Sequence, residues 1–481
     1  MKKILLLLCS FFFIESSFAQ KSNWYYPWNN RLDNLQKVKL NDVIPVLLSG
    51  SNYRLLAVNN LKGKRVEGIN VLSKFASVKI YYLPLMTDYK NRNILDRMVP
   101  VEGSELQPYN KTQYFLVRFY GVKYGNETLK ITINTDEDSC ILTKEIKVSD
   151  IKFQNPLSLN VWAYFDYNFL TKGNKSKIVD DLISHNSNVL VIPPGLFPAV
   201  GNISEAGLSK LRGYLKGTNN RFKYYLLYLG YNQNTKSVLT SSWKDSFLKW
   251  NKVVSNIFAD LNIPAQNVLL YPYDEPKGNS VKTLSELYDW CRSENINNPF
   301  FATIGNYDAI PLAKKLEYLQ VYSGSMEFVK KINELKKPTT ALWLYEIPAG
   351  SRNIMASLYQ KIGIKAFSLN AMGIGAWNYA DVNSAVGSLG LKQFSEGRGS
   401  WDISTKIPTS DNTLIYRKGN EIFSSLRWEA LSYGMEEYAF LNIYKLNHGE
   451  NLSNSLVNKL LSGAIDAKEW ESIKYQVLIG F

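Results

Sequence analysis

From Leu159 onward, short apolar runs rich in β-branched and aromatic residues alternate with longer stretches of helical periodicity, and the pattern repeats eight times. Strands that read as nearly continuous apolar runs are covered on both faces, which parallel strands joined by outer helices achieve. Eight such units in about 320 residues fit a closed (β/α)8 TIM barrel, whose size range is roughly 200–400 residues. The expected strands are Leu159–Phe165, Asn188–Ile192, Tyr224–Leu229, Val268–Tyr273, Phe300–Ile304, Leu319–Tyr322, Ala341–Tyr345 and Ile374–Tyr379. Expected helices include Ser242–Leu261, Val281–Ser293 and Met326–Lys336. Ile364–Met372 reads as helix ended by Gly373, and a last helix places Leu426, Ala430, Leu431, Met435, Tyr438 and Leu441 on one face.

The chain of 481 residues is longer than such a barrel. Between Lys37 and Ile151 the apolar runs are short and alternate with polar residues, as in Tyr114–Tyr120 and Leu129–Ile133, the pattern of an antiparallel β-sandwich. Asp150–Ser158, with Asn155-Pro156 inside it, reads as the linker, giving a sandwich over 20–155 and a barrel over 156–481. Ahead of both, Lys2-Lys3, the apolar runs Ile4–Leu8 and Phe11–Ile14, and Ser17-Phe18-Ala19 have the order of a secretory signal over 1–19. The expectation is a secreted or periplasmic protein. No later apolar run approaches the ~20 residues of a membrane span. Once Cys9 is removed with the signal, Cys140 and Cys291 remain, in different domains and at no metal or redox spacing, so two unpaired buried thiols are expected.

Two histidines, His185 and His448, leave little material for a His-based zinc site or a Ser-His-Asp hydrolase. Acid–base chemistry must then rest on carboxylates, Tyr or Lys. The net charge of +14 comes from dispersed basic residues rather than a stripe, which argues against nucleic acid and leaves an anionic glycan compatible. No calcium, dinucleotide or phosphate loop is present in the sequence, so no metal or organic cofactor is expected.

In a (β/α)8 barrel chemistry occupies the carboxyl ends of the strands. There the sequence offers Asp166-Tyr167, Asp274-Glu275-Pro276, Tyr322, Trp343, Tyr345-Glu346 and Trp377-Asn378-Tyr379, followed by Asp381. Aromatic walls with a few acids suit a sugar, whose CH-rich faces stack on flat rings and whose glycosidic oxygen leaves on protonation by a carboxylic acid. Tyr271–Pro276 is the sharpest feature. Consecutive strand residues face opposite ways, so Asp274 and Glu275 share a pocket only if the backbone leaves strand geometry between them. Two carboxylates so placed would raise the pKa of one and keep a proton available for general acid catalysis. From the tripeptide alone, an ordinary loop start is as good a reading. Asp166 and Asp381 either orient hydroxyls or cap helices, and His185, ahead of the second strand, reads as structural.

The stretch Ser425–Leu431 followed by Gly434–Tyr438 resembles the carboxyl-terminal signature of a bacterial domain of unknown function, number 4091, grouped with glycoside hydrolase family 123, the β-N-acetylgalactosaminidases. Asp274-Glu275-Pro276 and Gly373–Tyr379 match the same family in order, and a sandwich ahead of the barrel matches in kind. This chain has Gly434-Met435-Glu436-Glu437-Tyr438-Ala439 where the signature usually reads Gly-Ile-Glu-Asp-Tyr-Glu. The resemblance implies a retaining, substrate-assisted hydrolase of terminal β-linked N-acetylhexosamine, with GalNAc favoured. Glu275 would be the acid and then the base, and Asp274 would hold the acetamido N–H. Tyr322 would donate to the acetamido group, and Trp343, Tyr345, Trp377 and Tyr379 would wall the pocket, with packing beneath the pocket as good a reading for each of these aromatics; Asp166 and Asn378, from their places at the strand ends, are further candidates for sugar contact. Barrel geometry leaves two alternatives: a retaining glycosidase using Glu275 and Glu346, and a catalytically silent glycan-binding protein on a hydrolase scaffold.

Overall fold

The computed structural model describes residues 22–29, 31–38, 42–59, 66–87, 93–101, 112–136, 139–161, 175–345, 355–376, 379, 414–418 and 421–479. The expected signal segment, Asp166, Glu346, Trp377, Asn378 and Asp381 lie outside the described residues.

The amino-terminal unit contains β1 (Ser22–Tyr25), β2 (Ile44–Leu48), β3 (Ser51–Asn59), β4 (Val66–Leu72), β5 (Ala76–Leu83), β6 (Leu85–Thr87), β7 (Asn93–Leu95), β8 (Val99–Pro100), β9 (Thr112–Gly121), β10 (Gly125–Thr135) and β11 (Ser139–Lys152). One layer runs β4-β10-β11-β2, and β3, β5 and β9 form the centre of the other. The layers join at a corner where β2 meets β9 through Leu48 and Gly121. A Cβ on Gly121 would lie 2.4 Å from the Leu47 carbonyl oxygen, so the corner needs a residue without a side chain. Phe115, Val117 and Phe119 of β9 and Leu129, Ile131 and Ile133 of β10 fill the space between the layers. The sandwich is not wholly antiparallel. β2 runs parallel to β11, a pairing open to strands too far apart in sequence to form a hairpin.

β11 continues to Lys152, so only residues 153–157 link the units, fewer than expected. The barrel strands are β12 (Ser158–Val161), β13 (Val189–Ile192), β14 (Tyr224–Tyr231), β15 (Val268–Tyr273), β16 (Phe301–Ile304), β17 (Tyr318–Tyr322), β18 (Ala341–Tyr345) and β19 (Gly373–Ala376). They pair in parallel in the order β15-β14-β13-β12-β19-β18-β17-β16. The ring closes between β15 and β16 through one bridge, Leu270 to Phe300, with the Leu270 N–H donating to the Pro299 carbonyl at 2.8 Å. Strand alternation sends Leu226, Leu269, Tyr271, Phe301, Trp343 and Tyr345 inward and Leu227, Leu270, Ala302 and Leu344 outward against the helices. The inward positions of β19 are glycines because large side chains occupy that space. A Cβ on Gly373 would meet the Trp343 ring at 2.6 Å, and one on Gly375 the Gln320 amide at 2.4 Å.

The outer helices are α1 (Lys175–Ser184), α2 (Glu205–Lys216), α3 (Ser241–Asp260), α4 (Asn279–Ser293), α5 (Met326–Leu335) and α6 (Ala356–Ser368), with a 3-10 turn, Tyr307–Lys314, between β16 and β17. Ser204, Thr240 and Ser325 cap their helices through side-chain oxygens. On α3, Trp243, Phe247, Trp250, Val254 and Ile257 make a buried stripe at helical spacing. The helix before β19 ends at Ser368, and the chain turns at Asn370 (φ 51°). Gly373 therefore starts the strand rather than ending the helix, correcting the expectation. Cys140 in β11 and Cys291 in α4 are buried and form no disulfide.

After β19 come a hairpin, β20 (Ile415–Lys418) and β21 (Glu421–Ser424), and then α7 (Leu426–His448), α8 (Glu450–Ser462) and α9 (Ala467–Ile479). The last two helices extend beyond the final helix expected from sequence. Ser425 caps α7 by accepting from the Trp428 N–H, and Gly434 lets α7 touch α6 backbone to backbone. A Cβ on Gly363 of α6 would sit 1.8 Å from the Gly434 carbonyl oxygen. Most of the signature stretch on α7 joins the sandwich to the barrel. Arg427 pairs with Asp96 at 2.9 Å with both side chains wholly buried, and Glu436 accepts from the Ser51 N–H at 2.7 Å. Glu429 accepts from Tyr53 at 2.9 Å and faces His185 Nε2 at 3.0 Å. Lys474 of α9 pairs with Glu437 at 3.0 Å and donates to the Tyr433 hydroxyl at 2.7 Å.

Candidate active site

β15 ends at Tyr273, and the next two residues are Asp274 and Glu275, both exposed. Glu275 has φ 43°, a left-handed conformation that costs a residue with a Cβ roughly 1–2 kcal/mol. Pro276 disfavours right-handed helix at Glu275, and neighbouring bonds hold the left-handed turn in place. The Glu275 N–H donates to Thr303 Oγ1 at 2.7 Å, and the same hydroxyl donates to Asp274 Oδ1 at 2.6 Å. Tyr271 also donates to Asp274 Oδ1, at 2.6 Å. The departure from strand geometry required by two neighbouring carboxylates is thus present, fixed from the adjacent strand β16.

The Tyr345 hydroxyl donates to Glu275 Oε1. Burial, then the hydrogen bond and charge of Glu275, push the Tyr345 phenol well above its ordinary range, so it stays protonated as a donor. Gly305 leaves room for this contact: a Cβ there would lie 3.1 Å from the Tyr345 hydroxyl and 3.3 Å from Glu275 Oε1. Each carboxylate therefore has one oxygen held by hydroxyl donors. Asp274 Oδ2 and Glu275 Oε2 have no protein donor among the described residues. Tyr322 pairs in register with Tyr345, their ring centroids are 5.5 Å apart, and its side chain is open to solvent. Tyr228 packs against Tyr271 with ring centroids 4.8 Å apart, and burial together with the Asp274 charge raises its phenol to about 12.

Two expected wall residues stand elsewhere. Trp343 is 1% exposed, packed inside the barrel against Tyr224, Phe301 and Tyr318. It supports the site from below and offers no open face. Tyr379 is fully buried on the outer side of the barrel, its ring against Trp428 and its hydroxyl donating to Asp181 at 2.8 Å. Gly373 and Gly375 are the inward positions of β19, and alternation carried on to residue 379 would have pointed Tyr379 inward as well. His185 is structural, as expected: it stacks on Trp428 and bridges Asp181 and Glu429.

Sequence reasoning passed over Thr303, Gly305 and Asn306, and gave Tyr271 no role although it opens the Tyr271–Pro276 stretch. Thr303 lies two residues after inward-facing Phe301 on a strand correctly expected, so strand alternation alone pointed it at the site. Asn306 donates to the Pro276 carbonyl at 3.1 Å, while its buried Oδ1 has no partner among the described residues. No cluster that could hold a metal ion occurs among the described residues, and none of their helices is long and apolar enough to cross a membrane.

No family model matches the sequence, and no curated protein matches it. Among solved structures, the chain is similar to a family 123 glycoside hydrolase from Clostridium perfringens, described for glycolipid glycan hydrolysis, at 11% identity and a TM-score of 0.66, covering 92% of this chain and 91% of that one. The sandwich-plus-barrel fold is therefore shared over nearly the full length of both chains. An endo-β-1,4-mannanase from Thermotoga petrophila matches at 12% identity and TM-score 0.40 over 60% of this chain and 77% of the other. A β-glucuronidase from Ruminococcus gnavus matches at 13% identity and TM-score 0.28 over 68% and 62%.

Proposed function

We propose that the protein is a glycoside hydrolase that removes terminal β-linked N-acetylhexosamine, GalNAc foremost, with retention and by substrate assistance. The observation that carries this reading is the pair itself: two consecutive carboxylates at the end of β15, each held through one oxygen by hydroxyls and open at the other. In the first step the acetamido oxygen attacks the anomeric carbon as the bond to the leaving oxygen breaks, and protonated Glu275 delivers its proton to that oxygen. Asp274 accepts the acetamido N–H and offsets the positive charge of the oxazolinium. Water then adds to the anomeric carbon, Glu275 takes its proton, and the ring reopens to the acetamide. No protein nucleophile is needed, which sets this route apart from the usual two-carboxylate scheme. Tyr345 orients Glu275 by donating to one of its oxygens, and in this reading Tyr322, its neighbour on β17, donates to the acetamido group.

The test is hydrolysis of aryl β-glycosides of N-acetylgalactosamine, N-acetylglucosamine, galactose and glucose. Turnover confined to the 2-acetamido sugars and abolished by Glu275→Gln is the expected result. Turnover of sugars lacking the acetamido group, together with its loss in Glu346→Gln, would replace this reading with a Glu275/Glu346 retaining mechanism. Inactivity on all four, with saturable glycan binding, would favour the non-catalytic alternative. Export is part of the proposal and is checked by amino-terminal sequencing of the mature chain, with Gln20 expected first.

A further inference from the structure

The seam between sandwich and barrel holds a cavity of about 700 Å³, lined on the sandwich side by β3, β5 and β9 and on the other by His185, Ser424 and Glu429. That volume lies within the ~300–1,000 Å³ of small-molecule sites. His185 precedes β13, so this cavity belongs to the amino-terminal end of the barrel strands, opposite Asp274 and Glu275.

Strand register makes its wall unusual. Lys79 of β5 lies directly across from Arg118 of β9, so two cations face each other on one side of the sheet. Like charges in that position destabilise a sheet. The carboxylates in the lining offset the two unequally: Arg118 has Glu429 within ion-pair distance, and Lys79 has none among the described residues. Glu429 is taken up by His185, Tyr53 and Ser424, and it stands 3.7 Å from Arg118. Asp181 is held by Tyr379 and Trp428, and Glu436 by the Ser51 N–H. Lys79 is exposed and has no acidic partner among the described residues. The neighbouring rows of the same face carry phenols: Tyr81 two residues along β5, and Tyr120, 38% exposed, two residues along β9.

We infer that this cavity is a second, non-catalytic glycan site, for a sugar bearing a carboxylate or sulfate. The anion lies between Lys79 and Arg118, and the sugar face rests on the ring of Tyr120. An anion at this position removes the repulsion built into the strand pair. The chain's net charge of +14 draws polyanionic glycans toward it at long range. The inference is independent of the reaction proposed for Glu275.

The experiment is calorimetric titration of the full chain with trigalacturonate, neutral galactotriose and sodium sulfate at low salt. Trigalacturonate is expected to bind saturably, at least 10-fold more tightly than galactotriose or sulfate, and to weaken as salt is raised. Lys79→Glu should weaken it at least 10-fold and Tyr120→Ala several-fold, with aryl-glycoside turnover and far-UV circular dichroism unchanged. Lys79→Met, which removes charge without reversing it, should lie between wild type and Lys79→Glu. Absence of saturable binding would overturn the inference, as would binding indifferent to Lys79→Glu or lost instead in Glu275→Gln. Sulfate binding as tight as the trisaccharide would overturn the sugar component.

Discussion

The carboxylates at the mouth of the barrel and those at the seam with the sandwich are built on opposite terms. Asp274 and Glu275 are exposed and are met by hydroxyls, from Tyr271, Thr303 and Tyr345. Asp96, Glu429, Glu437 and Glu471 are met mainly by Arg427, His185 and Lys474, nearly all out of water. A hydroxyl donates to a carboxylate and accepts from a carboxylic acid, so it tolerates a change of protonation; a buried cation demands the anion. The first arrangement suits a group that must give up and retrieve a proton within a catalytic cycle. The second suits a joint that must not move.

Substitutions should separate the two regions. The largest effect expected is at Glu275→Gln, with turnover falling roughly 10³–10⁴-fold in steady-state assays and the thermal midpoint almost unchanged. A comparable loss of stability in that variant would break the contrast. At the seam, Arg427→Leu strands the buried charge of Asp96 and should cost roughly 3–5 kcal/mol by urea unfolding, while residual folded protein keeps its turnover. Thr303→Val removes the hydroxyl shared by Asp274 and Glu275. We expect kcat to fall about 10–100-fold with KM little changed, and Thr303→Ser to restore most of it.

The smallest effect is the pH dependence of stability, which should belong to the seam. Burial alone would raise Glu429, but His185 and Arg118 outweigh it and lower the carboxyl to about 2. Its contribution is complete above the ordinary value of 4.5 and is lost as pH falls toward 2. For His185, burial lowers the pKa, but Asp181 and Glu429 raise it further, so its contribution is complete below 6.5 and is lost as pH rises through the folded value. Burial raises Glu436 to about 8 against the Ser51 N–H and Arg118, so folding favours its protonated form and stability declines between 4.5 and 8. Urea midpoints measured from pH 3 to 9 should peak in mild acid. Glu436→Gln should flatten the alkaline side, and an unchanged profile in that variant would contradict the assignment.

The barrel was legible because each strand carries its own signal: Val268–Tyr273 and Ala341–Tyr345 begin and end where their apolar runs do. Asp274 and Glu275 were legible for the same reason, since a strand end in a barrel marks the mouth. Thr303 was not, because one threonine gains meaning only when β16 lies beside β15. Tyr379 misled for the converse reason: it reads as the end of the eighth strand but is buried on the outside of the barrel against Trp428 and Asp181, partners far away in sequence. The seam was read in part. Ser425–Tyr438 stood out as a motif, but its partners Asp96, Ser51 and His185 are hundreds of residues away, so its structural work could not be seen. α8 and α9 lack a local anchor as strong as the barrel alternation, and their meaning comes from packing against α7, through Leu456, Val457 and Leu460 of α8 and Trp470 and Lys474 of α9.

The single bridge between β15 and β16 gives the site a further part in the molecule. Most neighbouring staves are laced by several backbone pairs, but above this bridge the lacing passes to Thr303, whose hydroxyl ties Asp274 and the Glu275 backbone of one stave to the next. The groups proposed to cut a sugar are also the upper rivets of the cylinder. Drift at Asp274 and Thr303 is therefore filtered twice, once by chemistry and once by whether the cylinder stays shut, and an altered specificity would have to arise from the rim around them.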